Sequence, residues 1–350
     1  MERVIISDSP HIRRKTTTRG IMLDVLIALV PATVAGLVYF GGRAAVTLVL
    51  SIFSAVATEF VWLLCKKVSF KQILAKFDFT SVVTGLLLGL TMPPLEYKLW
   101  YVPVLSGIFA VGVVKMLFGG TGKNIVNPAI AGRVFAFIAF SSAMVSGWIA
   151  PAFGAIGGKE AVVGGATPLT DMLNGNGMQL SNLDLFLGTG LAGCIGETCK
   201  LALILGGIYL AVRKVIKPQY PIIYIVVTGL ISMAMSKDAS VFLPSVLSGG
   251  LILGAIFMAT DYVTSPNNKW AAYVYYVVLG VITALLRYGT KIEVVSFAIL
   301  LMNLIVPLLN AYIRPRPFGS TPITKLIKEK IETVKAKNAE KKAAKEGKGE

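Results

Sequence analysis

Apolar residues fill most of the chain in ten runs, mostly of about 18 to 22 residues, which polar or basic segments separate. A helix of this length crosses the hydrocarbon core of a bilayer, which is about 30 Å thick. The predicted fold class is therefore an all-α integral membrane protein. The runs predict spanning helices near residues 21–40, 44–64, 79–95, 99–117, 125–147, 187–212, 220–235, 241–258, 270–287 and 291–312.

The composition agrees, since 55% of the 350 residues are hydrophobic, against roughly 45–50% in soluble domains. The net charge of +16 comes from Lys and Arg clusters between the spans and at the ends, which indicates topology and no nucleic-acid partner. One face carries 26 of these residues and the other carries 6, or 15 against 6 without the tail. By the positive-inside rule both chain ends are cytoplasmic and residues 148–186 are extracytoplasmic.

Two stretches five spans apart resemble each other. Residues 81–92 read SVVTGLLLGLTM and residues 245–258 read SVLSGGLILGAIFM. Two consecutive units of five spans each cross the membrane in opposite orientations. The likeness therefore predicts two inverted repeats of the kind found in transporters. The alternative is that small residues only permit close helix packing. The predicted regions are a basic N-terminus 1–20, repeats 21–147 and 187–313, an outer loop 148–186 and a charged, solvated tail 314–350.

Glycine-rich stretches interrupt two of the spans. GTGLAGCIGETCK at 188–200 and FGGTGKNIVNPAIAGRVF at 118–135 predict irregular backbone, which at membrane depth lines a cavity or is covered by protein. Charges inside spans are candidate sites. Glu59 and Arg133 could instead snorkel to the interface, and Glu197 and Lys200 could neutralise each other. The charged candidates are Asp24, Glu59, Arg133, Glu197, Lys200 and Asp261.

Resident metal chemistry is not indicated. Cys65, Cys194 and Cys199 fit no metal-ligand spacing, and the one histidine is His11 in the basic N-terminus. A haem held by two histidines, a zinc site and a cysteine-ligated cluster are therefore not expected. We interpret the cysteines as packing residues. The basic start leads into a full-length span without a cleavage site, which predicts an uncleaved signal anchor.

The segment VVGGATPLTDMLNG, residues 162–175, is too polar and too glycine-rich to be another span. At its centre Thr167 presents a hydroxyl on a short stalk. Gly164, Gly165 and Ala166 precede it with little or no side chain, and Pro168 stiffens the exit. The alternative is a turn threonine that caps a helix beginning nearby.

Three stretches taken together, GGTGKNIVNPAIAGRVF, GATPLTDML and GAIFMATDYVTSP, resemble one family. It comprises the D subunit of the Rnf complex, an ion-translocating ferredoxin:NAD oxidoreductase, and the B subunit of the sodium-pumping NADH:quinone reductase. LGTGLAGCIGETCKLALILGGIYL fits the same family, and the resemblance extends from about residue 20 to 315. It implies a multi-pass protein of the bacterial or archaeal cytoplasmic (inner) membrane.

The resemblance implies a covalent FMN on Thr167, joined by a phosphoester bond to the hydroxyl oxygen. Gly164 and Gly165 then leave room for the enzyme that attaches the flavin nucleotide. This sequence departs from the usual attachment pattern, since Gly164 stands where a Ser or Thr is common. The nearest acidic residue, Glu160, also lies one position further upstream.

The resemblance also implies a riboflavin held without a covalent bond near the cytoplasmic side, by Asn124 and Asn127. Amide side chains offer the donors and acceptors that the edge of a flavin ring requires. A compatible alternative is that Asn127 caps the helix that Pro128 begins. Tyr262 replaces the proline of the family's Met-Ala-Thr-Asp-Pro stretch, so the local turn is expected to differ.

These expectations describe a subunit that passes electrons between the covalent FMN and the inner flavin and couples this to Na⁺ or H⁺ transport. No catalytic residue is predicted, because flavin supplies the redox chemistry. Partner subunits are expected to carry the NAD site, iron–sulfur clusters and a second covalent flavin, since the chain lacks the motifs for NAD and for clusters. The ion route is predicted to involve Asp24, Gly193, Gly196, Glu197 and Asp261.

Two other functions fit the same pattern of spans. The first is a ten-helix channel or transporter for a small solute, with inverted repeats and broken helices but no flavin. The second is a structural scaffold around which the other subunits of a membrane complex assemble.

Overall fold

In the computed structural model, the structure describes residues 17–146, 181–188, 193–290 and 292–313. Every regular element of these residues is helical, which confirms the predicted all-α membrane fold. Short 3₁₀ turns at Tyr97–Leu99 and Ala239–Val241 precede two of the helices. The α-helices are α1 (Thr18–Cys65), α2 (Phe70–Lys76), α3 (Thr80–Leu90), α4 (Tyr101–Ile108), α5 (Pro128–Ala139), α6 (Ser141–Ser146), α7 (Asn182–Leu187), α8 (Lys200–Val212), α9 (Gln219–Ser236), α10 (Phe242–Leu247), α11 (Leu251–Leu253), α12 (Lys269–Thr290) and α13 (Val295–Tyr312).

Five helical stretches of the described residues are long and apolar enough to cross a membrane. A sixth candidate is the pair Ala239–Leu247 and Leu251–Met258, which bends by 67° at its break. Large apolar side chains such as Phe53, Trp270 and Leu304 are exposed along these helices, as lipid-facing positions require. The count of ten spans stays a prediction. The five stretches are Thr18–Cys65, Tyr97–Met116, Gln219–Ser236, Lys269–Thr290 and Val295–Tyr312.

The first two predicted spans are continuous in α1 except at Gly41. A straight helix of its 48 residues would be about 72 Å long, more than twice the thickness of a hydrocarbon core. Gly41 breaks it, with φ 61° and ψ −139°, a conformation that only glycine adopts readily. The break lies in the predicted gap between residues 40 and 44.

Two helices end in π-helical turns, which the apolar pattern did not predict. α4 continues as a π-helix over Phe109–Met116, and α11 continues as one over Gly254–Met258. The Leu117 N–H donates to Gly112 O at 3.1 Å, and the Ala259 N–H donates to Gly254 O at 2.7 Å. Such turns widen the helix locally and are frequent at functional sites.

The predicted interruption of the sixth span is confirmed. Residues 193–199 are not helical, and this segment joins the end of α3 through two backbone hydrogen bonds. The Ile195 N–H donates to Met92 O at 3.0 Å and the Gly196 N–H donates to Leu90 O at 2.7 Å. A third break, at residues 248–250 between α10 and α11, was not predicted, although Gly249 and Gly250 mark it.

Contacts between small residues join the two halves of the chain into one core. A Cβ at Gly206 of α8 would overlap the Ala28 carbonyl of α1, and one at Gly36 would lie 2.6 Å from the Ile195 side chain. In the first half, Ser51 Oγ of α1 donates to Gly85 O of α3 at 2.9 Å. Glycines of the resembling stretch in α3 therefore serve close packing, and the inverted repeat stays a prediction.

Candidate functional site

A cavity opens where the two halves meet. The space inside it, with the open solvent at its mouth included, is about 820 Å³. Apolar side chains of α3 and of the π-turn after α11 form much of its wall, among them Val83, Leu87, Ile256 and Phe257. Polar side chains come from the segments around it, namely Thr80, Thr84, Lys115, Thr121, Asn124, Asn127, Thr260 and Asp261.

Three segments in the cavity lining, called the mouth loops, belong to the face that the charge count takes as cytoplasmic. Thr121 and Asn124 come from the segment before α5, Val215 from the segment after α8, and Thr260 and Asp261 from the segment before α12. The structure thus brings together three of the loops predicted to be cytoplasmic.

Asn127 caps α5, as one of the two interpretations of the sequence expects. Its Oδ1 accepts from the Ala129 N–H at 3.0 Å and the Ile130 N–H at 3.4 Å, which satisfies two of the free donors at the helix start. Its Nδ2 donates to Met258 O at 3.3 Å, across the cavity wall. The cap and a further contact to a ligand are compatible, because Nδ2 has two N–H groups.

Asn124 lies beside it, and its Oδ1 accepts no hydrogen bond from the residues that the structure describes. Its Nδ2 donates to Val126 O at 3.0 Å. The residue is buried, yet it lines the cavity. It is the better placed of the two predicted asparagines to present an amide edge to a ligand.

A buried asparagine that the sequence analysis did not single out supports this wall. Asn303 of α13 is 1% exposed. Its amide oxygen accepts from the Asn127 N–H at 3.1 Å, and its nitrogen lies 3.2 Å from the carbonyl oxygens of Thr264 and Ile299 and 3.0 Å from the Tyr275 hydroxyl. The sequence signal for this residue was a single amide side chain within an apolar span. A buried polar group needs hydrogen-bond partners, so such an amide indicates a polar contact inside the protein.

Asp261 caps the turn that follows the π-turn of α11. It accepts from the Val263 N–H at 3.4 Å and from the Thr264 hydroxyl at 3.1 Å. Burial against the cavity wall raises the pKa of its carboxyl above the ordinary 3.8. Tyr262, which stands at the family's proline position, donates its hydroxyl to Val215 O and so ties two mouth loops together.

Lys115 and Glu59 form a buried ion pair at the cavity wall. Lys115 Nζ lies 3.1 Å from Glu59 Oε1, and it donates to Thr80 Oγ1 at 2.5 Å and to Ser81 Oγ at 3.0 Å. The Ser81 hydroxyl donates to Glu59 Oε2. The alternative that Glu59 snorkels to the interface is wrong, because its carboxylate is buried and paired. The charge count takes Lys115 as one of the 26 residues of the cytoplasmic face, and this is wrong, since Lys115 lies buried in the π-helix.

A second buried pair joins α5 to the broken sixth span. Arg133 Nη1 donates to Glu197 Oε1 at 2.7 Å, and Arg133 Nη2 lies 3.7 Å from Cys194 Sγ. Lys200 donates to the backbone carbonyl of Glu197. Snorkelling of Arg133 is therefore wrong, and so is side-chain neutralisation between Glu197 and Lys200, since the Glu197 carboxylate pairs with Arg133 instead.

A family model described as NQR2, RnfD, RnfE family matches residues 5–319 of the chain. The chain belongs to this family. It is 39% identical over 324 residues to the D subunit of the Na(+)-translocating ferredoxin:NAD(+) oxidoreductase complex of Acetobacterium woodii, covering 91% of this chain and 96% of that one. It is 34% identical over 326 residues to the D subunit of the proton-translocating ferredoxin:NAD(+) oxidoreductase complex of Clostridium ljungdahlii, covering 90% and 96%.

A third relative, the D subunit of the ion-translocating oxidoreductase complex of Stutzerimonas stutzeri, is 34% identical over 336 residues, covering 87% of this chain and 93% of that one. Relatives of similar identity are thus named for different ions. Membership in the NQR2, RnfD, RnfE family accounts for the resemblance of all the quoted motifs.

The residues predicted to form the ion route of this family member have separate partners. Asp24 accepts from Arg213 Nε at 3.2 Å and from the Tyr209 hydroxyl at 3.0 Å, at the end of α8. Gly193 and Gly196 lie in the segment beside α3, Glu197 binds Arg133, and Asp261 lines the cavity. Within the described residues, no group of three or more His, Cys, Asp and Glu could hold a metal ion.

The break between α10 and α11 is held by Arg287, which the charge count had placed in an outer loop. Arg287 is 1% exposed. It donates to Ser245 O at 2.8 Å and Ser248 O at 3.3 Å, the carbonyls that the break leaves free, and it pairs with Glu293 at 3.0 Å. A Cβ at Gly249 would overlap the Glu293 carboxylate, which explains the glycine.

The predicted attachment segment, with Gly164, Gly165, Ala166, Thr167 and Pro168, lies outside the described residues. So do residues 148–180 of the predicted outer loop 148–186 and the tail 314–350. The predictions for them rest on the sequence.

Proposed function

We propose that the chain is the flavin-carrying D subunit of an ion-translocating ferredoxin:NAD oxidoreductase. The support is that relatives named as D subunits of such complexes match about 90% of the chain at 34–39% identity. In this proposal electrons pass between a covalent FMN on Thr167 and a riboflavin in the cavity. Other subunits of the complex supply the NAD site, the iron–sulfur clusters and a second covalent flavin.

The observation that carries the inner flavin is the meeting of two family motifs in the lining of one cavity. The Asn-x-x-Asn-Pro segment contributes Asn124 and Asn127, and the Met-Ala-Thr-Asp segment contributes Asp261. Apolar side chains such as Leu87 and Phe257 suit the faces of a flavin ring, and threonine and asparagine side chains suit its polar edge and ribityl hydroxyls. The donor set therefore fits riboflavin.

When bound, flavin supplies the electron transfer. The residues of the chain bind and orient it. Asn124 offers a free amide oxygen, Asn127 is fixed by its cap and by Asn303, and the apolar wall of α3 limits the access of water. This arrangement holds the polar groups in place before the ligand binds, which reduces the cost of ordering them.

Coupling to ion transport belongs to the same proposal. A cation moves with electron flow only if its binding or access differs between redox states. Asp261 is the one predicted route residue that lines the cavity, so its carboxylate is the group we assign to cation binding near the flavin. Asp24, Gly193, Gly196 and Glu197 complete the proposed route, and the ion is Na⁺ or H⁺.

The covalent flavin is tested on a denaturing gel under ultraviolet light. The protein is expressed with flavin transferase, and we expect a fluorescent band for the wild type and for Thr170→Ala, a threonine three residues further on. Thr167→Ala should be dark, and the mass of the peptide around Thr167 should show one FMN phosphoester. A dark wild-type band would favour the small-solute channel or transporter instead.

The inner flavin is tested by acid extraction of the purified protein followed by chromatography. Released riboflavin should be present in the wild type and in Asn310→Leu, a change near the end of α13 at a residue that does not line the cavity. Asn124→Leu should lower it severalfold, because the ring edge loses its amide partner. Equal riboflavin in both variants would contradict the assignment of Asn124.

A further inference from the structure

Lys115 is a buried cation at the cavity wall, and the proposed electron transfer assigns it no role. It is 2% exposed and lies in the π-helix Phe109–Met116, where the widened turn carries it to the cavity wall. Three oxygen atoms surround its ammonium group, from Glu59, Thr80 and Ser81, at 3.1, 2.5 and 3.0 Å.

The two members of the Lys115–Glu59 pair differ in their position relative to the cavity. Lys115 and Thr80 line the cavity, whereas Glu59 is not among its lining residues. Lys115 is therefore part of the cavity wall beside Thr80, and the Glu59 carboxylate is not. The acid on the cavity wall, Asp261, has its own partners at the Val263 N–H and the Thr264 hydroxyl.

Stability alone is a weak reason for such a pair. Taking two charges out of water costs several kcal/mol per ion, and a buried pair can often be replaced by apolar residues without loss. A cation next to a ligand acts differently, because in a medium of low polarity it favours whichever form of the ligand carries more negative charge.

Flavin changes its charge on reduction. Two electrons and one proton, added to the neutral oxidised ring, give a reduced ring with one negative charge. The electrons come from the redox carriers of the partner subunits and the proton from water. A fixed positive charge beside the ring binds this form more tightly than the neutral one, which raises the reduction potential.

We propose that Lys115 compensates the negative charge of reduced riboflavin in this cavity and so sets its potential. The inference rests on the proposed inner flavin. Glu59, Thr80 and Ser81 are then positioning residues, which hold the ammonium group toward the cavity. Their hydrogen bonds also limit movement of the lysine side chain.

The test compares the affinities of oxidised and reduced riboflavin for the same protein. The full-length chain is purified in detergent with Thr167→Ala, so that no covalent flavin interferes, and bound riboflavin is removed. Dissociation constants are measured by fluorescence in air and, with dithionite as reductant, by absorbance without oxygen. The ratio of the two constants is the readout, because a purely structural defect weakens both forms alike.

Lys115→Met should lower the preference for the reduced form by about tenfold or more, which corresponds to about 30 mV in the potential. Since this variant leaves the Glu59 carboxylate unpaired, which itself disfavours an anionic ring, a second variant with Lys115→Met and Glu59→Leu removes both charges and should show a smaller loss in the same direction. Lys115→Arg keeps the charge and should keep the ratio. The matched control is Lys123→Met, which removes an exposed lysine from the neighbouring segment.

The outcomes separate the two proposals. Absence of riboflavin binding by the chain with an intact cavity overturns the inner flavin site and this inference with it. Binding with the same ratio in the double variant as in the control overturns the role of Lys115 only. A parallel weakening of both forms shows a structural role and also overturns it.

Discussion

At the scale of the residue, Asp261 predicts a pH dependence. Burial raises its pKa above 3.8, so the folded protein holds the proton more tightly than the unfolded chain does. Stability relative to Asp261→Asn should therefore be highest below the ordinary pKa. This relative stability should fall as pH rises from the unfolded-state pKa to the folded-state pKa, and it should level off above the folded-state pKa. Thermal unfolding in detergent from pH 3 to pH 8, a range of about five units around this pKa, measures the difference between the two proteins.

A constant difference across this range would show that Asp261 titrates as it does in the unfolded chain. The exposed Asp238→Asn provides a control of opposite sign. The Ser240 hydroxyl and N–H lower the pKa of Asp238, so its contribution is lost as pH falls through that pKa.

What the sequence could predict at this scale was local. Asn127 followed by Pro128 is a capping signal within two residues, and α5 begins there. The pairs of Glu59 with Lys115 and Arg133 with Glu197 join residues far apart in the chain. To predict these pairs, one must know which side of each helix faces the protein interior. An apolar run without a clear polar face does not specify this.

At the scale of the element, the break in α1 predicts an intolerance of side chains at Gly41. Alanine there must adopt φ near 61° with ψ near −139°, a strain that costs about 1–3 kcal/mol. Gly289→Ala in α12 is the matched control, since its Cβ would meet no atom within 4 Å. We expect a lower unfolding midpoint for Gly41→Ala and an unchanged or slightly higher one for the control. Equal midpoints would mean that α1 straightens without cost.

The contact between α5 and the segment 193–199 depends on one ion pair. Glu197→Leu leaves the Arg133 guanidinium buried without its carboxylate, which should cost about 3–5 kcal/mol. Adding Arg133→Met removes the second charge and should recover most of the loss. Urea or thermal unfolding of the single and double variants measures this coupling, and Glu96→Gln in an exposed pair serves as control. A double variant less stable than Glu197→Leu would contradict the account.

Element boundaries followed the sequence at some glycine-rich positions and not at Gly249 and Gly250, and they failed where hydrogen bonding alone decides. The breaks at Gly41 and at residues 193–199 match gaps or glycine clusters in the apolar runs. The π-turns after α4 and α11 have the same composition as α-helix. Only the carbonyl to which each N–H donates distinguishes them, and the apolar pattern carries no sign of that choice.

At the scale of the whole molecule, the cavity follows from how the halves meet. The mouth loops come from both halves, and buried Asn303 connects the halves by hydrogen bonds to Asn127 and Thr264. Tyr262 joins two loops of the second half. A ligand at this place contacts both halves at once, so its charge state acts on their contact. Coupling of redox chemistry to ion movement requires such a shared element.

The same arrangement predicts the orientation of the molecule. Cys65, at the end of α1, is exposed and lies on the face of the cavity mouth by the loop count, so it should be cytoplasmic. A membrane-impermeant maleimide should label it in inverted vesicles and not in intact cells. The Lys98 side chain is 77% exposed. A variant with Cys65→Ser and Lys98→Cys should therefore be labelled in intact cells and not in inverted vesicles. Labelling of Cys65 in intact cells would place the cavity mouth and both chain ends outside, and the attachment segment of Thr167 in the cytoplasm.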